Sequence, residues 1–163
     1  MRGLRMVGFL AFAVVLCGAG AWAGEIHRAV EAGDQALVTR LLTGDPRLVN
    51  APDDDRDRSL PLHVAASTGR LEIARLLLER GAALEGGDKD ESTPLGLACM
   101  RRQAAMVDFL LERGADVNRR DRNGNYALSF ALSGGDAAIV RRVVAAGAEF
   151  NFAGAGGETR LHR

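Results

Sequence analysis

Apolar residues in the middle of the chain recur with a helical period, in runs of two lengths. Leu62, Val64, Ala65 and Ala66 make a short run with one tight face, and Leu71, Ile73, Ala74, Leu76, Leu77 and Leu78 make a longer one. Gly69 and Gly81 follow the two runs, at the places where a residue that accepts φ > 0 ends a helix. The pattern therefore predicts a short helix, a tight turn and a longer helix. Neither helix can bury its apolar stripe alone, so such a pair must stack on a neighbour and share a core with it.

The neighbour is in the sequence. Pro61 and Pro94 are 33 residues apart, as are Gly81, Gly114 and Gly147, and Asp55, Asp88 and Asp121. Around these markers stand Leu60-Pro61-Leu62-His63, Thr93-Pro94-Leu95-Gly96, Tyr126-Ala127-Leu128-Ser129 and Thr159-Arg160-Leu161-His162. Thr before Pro reads as a helix start, the Thr hydroxyl capping the first turn and Pro taking the position whose N–H has no partner anyway. These units resemble the ankyrin repeat, and Gly114-Ala115-Asp116-Val117-Asn118 reproduces that family's closing motif letter for letter. The resemblance implies an all-α solenoid of stacked helix–turn–helix units with loop or hairpin fingers. It sets repeats at 55–87, 88–120 and 121–153, a divergent N-terminal repeat at 24–54, and the start of a fifth repeat at 154–163. In the divergent repeat Ala32-Gly33-Asp34 opens the second helix, Leu41-Leu42 ends it, and the loop Asp45 to Asn50 is longer than its counterparts.

Departures from the repeat mark local weak points. Arg102 stands where the other full repeats carry Gly69 and Gly135, so an arginine is expected in a left-handed turn at a cost of about 1 kcal/mol. Gly96 replaces the motif histidine kept at His63 and His162, and Leu60 lacks the capping hydroxyl of Thr93. Arg58 and Glu91 occupy the finger position that is glycine at Gly124 and Gly157.

The first 23 residues follow a different pattern. Arg2 and Arg5 precede an uncharged stretch from Met6 to Ala23 that closes on Ala21-Trp22-Ala23, the small-x-small sequence of a secretory cleavage site. Residues 1–23 are expected to be a signal peptide and the destination the periplasm or the extracellular space. An uncleaved membrane anchor is the alternative, which Gly18 to Ala23, small and polar, disfavours. Over the whole chain 21 basic residues balance 21 acidic ones; without Arg2 and Arg5 the balance is 19 to 21, a formal charge of −2. That excludes the basic excess of a general nucleic-acid binder. Cleavage also removes Cys17 and leaves Cys99 alone in an apolar Leu97-Ala98-Cys99 run, where a thiol reads as a small core residue and an internal disulfide is impossible.

Candidate chemistry is sparse. His27, His63 and His162 fall in no metal-ligand spacing, and neither Ser129 nor Ser133 stands in a nucleophile elbow. The acidic run Asp53-Asp54-Asp55-Arg56-Asp57 begins like a calcium loop, but the required sixth-position glycine and twelfth-position glutamate are Arg58 and Val64. The Gly154–Thr159 stretch lacks the lysine of a phosphate loop. No catalytic residue, cofactor or metal is expected. What remains is a surface. Carried over from the family by motif position, the protein-binding residues are Arg56, Asp57, Ser59, Ser67 and Thr68; Lys89, Asp90, Ser92, Met100 and Arg101; and Arg122, Asn123, Asn125 and Ser133. Met100 and Arg101 are the expected anchor, because Met and Arg concentrate at interface centres. The implied function is an exported protein-binding module. The alternative is an accessory or inhibitor serving a stress or redox enzyme, a toxin or a hydrolase. Repeat four should also leave an apolar end that self-associates, is covered by residues 150–163, or lacks a longer continuation.

Overall fold

The computed structural model describes residues 19–53 and 57–149, with side chains from Gly24 onward. Eight α-helices lie within these residues: α1 (Ala19–Ala32), α2 (Gln35–Gly44), α3 (Pro61–Thr68), α4 (Leu71–Glu79), α5 (Pro94–Met100), α6 (Ala104–Glu112), α7 (Ala127–Gly134) and α8 (Ala137–Ala145). They form four antiparallel pairs, each a first helix, a tight turn and a second helix. Extended pairing among the described residues is a single antiparallel bridge, Asp53 with Ser59. None of the helices is long and apolar enough to cross a membrane. Residues 1–18, with the apolar part of the expected signal peptide, and residues 150–163, with the expected fifth repeat, lie outside the described residues.

Stacking follows from the two stripes. First helices pack on first helices, α1 on α3, α3 on α5 and α5 on α7, and second helices form a parallel row behind them. One core runs through all four pairs, with Ile26, Val30, Leu42, Leu62, Leu77, Leu95, Leu110, Leu128 and Ile139 fully buried or nearly so. Each such side chain stabilises the stack by roughly 1.5–3 kcal/mol relative to exposure. The buried part of α1, Ile26, His27, Ala29 and Val30, lies entirely after Gly24, so a chain starting at that residue keeps it. Cys99 is fully buried, and loss of solvent pushes its thiol pKa up to about 12, as suits a core residue.

Close approach is what the small residues supply. A Cβ on Gly134 would lie 2.8 Å from the Cys99 carbonyl oxygen, so only glycine lets α7 pack this near α5. Gly96 makes room for the Phe130 ring, which would meet a Cβ there at 2.8 Å. The ring therefore fills the space that the missing histidine leaves in this repeat. Arg102 is left-handed at φ 59, as its alignment with Gly69 requires. Its Nε donates to the Gly134 carbonyl at the exposed end of α7, a compensation the sequence did not indicate.

The long loop of the first repeat is ordered. Pro46–Asn50 is a 3₁₀ turn started by Asp45, whose carboxylate accepts from the Arg47 N–H at 3.0 Å, and it buries Leu48 and Val49. Too short to show a period, this turn is invisible to the apolar pattern.

Candidate functional site

The fingers of the third and fourth repeats are each built by an aspartate that accepts backbone N–H groups ahead of it. In the third repeat the Asp88 Oδ1 accepts from Asp90 N at 2.9 Å and Ser92 N at 3.0 Å; in the fourth, Asp121 Oδ1 accepts from Asn123 N at 2.8 Å and Asn125 N at 2.7 Å. The turn closes through a left-handed residue, Gly124 in one finger and Glu91 in the other, while Asp57 and Arg58 take that conformation in the second repeat. Arg58 and Glu91, which stand where another finger carries glycine, thus take the conformation that glycine adopts there.

The fingers are stitched side by side. Lys89 N donates to the Asp57 carbonyl at 2.8 Å, and Arg122 N donates to the Asp90 carbonyl at 2.9 Å. Side chains repeat the connection. The Lys89 ammonium pairs with the Asp57 carboxylate, and Arg122 Nε donates to Glu91 Oε1 at 3.3 Å. The hydrogen bond and charge of Asp57 hold the Lys89 pKa above its ordinary value. Both pairs are solvent-exposed, so they contribute little to stability. Their effect is on charge: the cation of one finger is neutralised by the preceding finger.

Behind the fingers a buried histidine series ties repeats together. His27 Nε2 meets the Ser59 carbonyl at 2.8 Å, and His63 Nε2 meets the Ser92 carbonyl at 2.9 Å. The Leu60 N–H donates to His63 Nδ1 at 3.0 Å, which offsets the absent capping hydroxyl at Leu60 and leaves Nε2 as the protonated nitrogen. Burial holds the His63 pKa below its ordinary value, so the ring is neutral in this role.

The sequence-derived surface residues fall into three groups. Asp57, Lys89, Asp90, Arg122 and Asn123 are exposed along the finger ridge, with Asn125 half-buried behind it. Thr68, Arg101 and Ser133 are exposed at the far ends of α3, α5 and α7, beside the half-buried Ser67 and Met100. Ser67 and Thr68 spend their hydroxyls on the Val64 carbonyl, at 3.1 and 2.6 Å. Ser59 and Ser92 belong to the third group, because their carbonyls serve the histidine series and Ser92 is buried. Arg56 lies outside the described residues.

Two contacts at the helix ends escape the family pattern. Arg70 reaches the Glu31 carbonyl at 2.9 Å and Gln103 reaches the Ser67 carbonyl at 3.4 Å, each covering the end of the preceding first helix. Their 33-residue spacing was the available signal. Arg101, by contrast, makes no ion pair among the described residues and stands in solvent beside Met100. Among the described residues no group of three or more His, Cys, Asp and Glu side chains could hold a metal ion.

The stacked pairs, the aspartate-built fingers and the histidine series have their counterpart in a known family. Residues 26–121 match the family described as Ankyrin repeats (3 copies), and α7 with α8 adds a pair of the same construction beyond the matched span. A match over more than half its length makes this chain a member of the ankyrin-repeat family, whose domains are protein–protein interaction modules and generally not catalysts.

Proposed function

We propose that this chain is an exported protein-binding module that holds its partner in the groove between the finger ridge and the far ends of α3, α5 and α7. One observation carries the choice of anchor. On the ridge Lys89 pairs with Asp57 and Arg122 with Glu91, whereas Arg101 makes no ion pair among the described residues and is exposed beside the half-buried Met100. An unpaired guanidinium next to a flexible apolar side chain offers a partner both contact area and a charge-assisted hydrogen bond. Export rests on Arg2, Arg5, the uncharged run after them and Ala21-Trp22-Ala23.

The test is purification of the affinity-tagged chain from the periplasm, as the original sequence and with Arg101→Glu and Met100→Ala. Intact mass is expected to show a chain beginning at Gly24, and a partner is expected to accompany the original chain and be lost from the double variant. If that partner is an enzyme whose activity changes when this chain is removed, the accessory or inhibitor role follows. A chain that keeps residues 1–23 refutes export, and a partner retained by the double variant refutes the anchor.

A further inference from the structure

Asn50, Asn118, Asn123 and Asn125 are the asparagines among the described residues, and three of them have committed side chains. Asn50 donates to the Gly81 carbonyl and accepts from Ala83 N, Asn118 donates to the Gly147 carbonyl and accepts from Glu149 N, and Asn125 donates to Asp121 Oδ2 at 3.1 Å. The residues that follow them are Ala51, Arg119 and Tyr126. Asn123 differs in both respects. Its side chain, exposed at the tip of the fourth finger, makes no hydrogen bond among the described residues, and the next residue is Gly124. A Cβ placed on Gly124 would meet nothing within 4 Å, so the peptide nitrogen between the two residues is not shielded by neighbouring groups.

Asparagine is among the thermolabile side chains, and a following glycine leaves its amide carbon open to attack from the backbone. We propose that Asn123 is a site of spontaneous deamidation, reached when the finger turn opens. The Gly124 nitrogen gives its proton to solvent and adds to the Asn123 side-chain carbonyl carbon. The Cγ–Nδ2 bond breaks, Nδ2 takes a proton from solvent and leaves as ammonia, and a succinimide ring closes. Water then opens the ring at either carbonyl, giving aspartate or isoaspartate, the latter with its main chain routed through the former side chain and longer by a methylene. The sum is a water consumed and an ammonia released, with no change of oxidation state. The turn holds the reaction back, because Gly124 N donates to the Asp121 carbonyl at 3.0 Å and Asp121 Oδ1 accepts from Asn123 N and Asn125 N. These bonds lie at an exposed tip, where opening is local and leaves the stack folded. Either product sets a new carboxylate beside Arg122, the cation that pairs with Glu91, and isoaspartate also breaks the spacing from Asp121 to Asn125 on which the finger is built.

The purified chain is incubated at mildly alkaline pH, folded and in urea. Its peptides are followed by mass spectrometry, and isoaspartate is counted by isoaspartyl methyltransferase labelling. In the folded chain Asn123 is expected to convert severalfold faster than Asn50, Asn118 or Asn125. The Gly124 amide is expected to exchange its hydrogen about tenfold or more faster than that of Leu110, in the core of α6. Conversion at Asn123 that occurs only in urea, or that is no faster than at Asn50, overturns the site. A Gly124 amide that exchanges no faster than that of Leu110 overturns its access by local opening.

Discussion

Glu85 is the one described side chain with a buried polar atom that has no hydrogen-bond partner, its Oε2, and replacing it with glutamine is expected to stabilise the stack. The reason lies in a series of bridges between the loops that follow the second helices. Asn50 donates through Nδ2 to the Gly81 carbonyl at 3.0 Å and accepts at Oδ1 from Ala83 N at 2.8 Å. Asn118 does the same with Gly147 at 3.1 Å and Glu149 N at 2.8 Å. Between them stands Glu85, which accepts from Asp116 N at 2.9 Å but, as a carboxylate, cannot donate to the Gly114 carbonyl that its register places opposite. An unsatisfied buried polar atom costs about 1–3 kcal/mol and a new neutral hydrogen bond contributes about 0.5–1.5 kcal/mol. Glu85 is only half-buried overall, so Glu85→Gln, which keeps the acceptor and adds the donor, is expected to gain about 1 kcal/mol, or roughly 4 °C in the midpoint. Urea titration and thermal melting measure it, with Glu85→Ala as control. Alanine removes the charge and the bond from Asp116 N, so it should fall well short of glutamine. A glutamine variant no more stable than the original chain, or matched by alanine, would refute the bridge.

Arg102→Gly relieves a left-handed arginine but removes the bond to the Gly134 carbonyl, two terms of about 1 kcal/mol each; the denaturation midpoint is expected to move by less than about 0.5 kcal/mol. His63 has a pKa lowered by burial, so the folded state binds fewer protons than the unfolded chain below pH 6.5. Stability is therefore complete above that pH and declines as pH falls from 6.5 toward the depressed folded value; urea midpoints should follow, and His63→Ala should lower stability by about 2–3 kcal/mol and flatten the decline. Cys99, with its thiol pushed up to about 12, should resist a thiol reagent in the folded Cys17→Ser chain and react once denaturant is added.

The architecture was legible because it repeats. A 33-residue spacing of Pro, Gly and Asp fixes where each helix pair starts and stops, and one pair's apolar stripe then stands for all. Arg102 was legible as a left-handed residue for the same reason, since it stands on a position that is glycine elsewhere. Contacts between repeats were not, because they depend on two side chains meeting at a distance set by packing. The Arg102 bond to Gly134, the half-built bridge at Glu85 and the Phe130 ring over Gly96 each need both partners in view. On the ridge, residue type gave alternating charge, but only the geometry pairs Lys89 with Asp57 and Arg122 with Glu91, while Arg101 at the helix ends makes no ion pair among the described residues. Ser92 shows the reverse case: its motif position is on the fingers, and its backbone and burial commit it to the core.

The claim that this module binds through the groove is tested most directly by site-specific photocrosslinking in cells. A photoreactive residue is placed at Met100, at the end of α5, and in a second chain at Glu79, exposed at the end of α4 on the second-helix row. Met100 is expected to yield a discrete adduct with another protein that disappears with Arg101→Glu, and Glu79 to yield none. Adducts from Glu79 with none from Met100 would contradict the assignment of the groove.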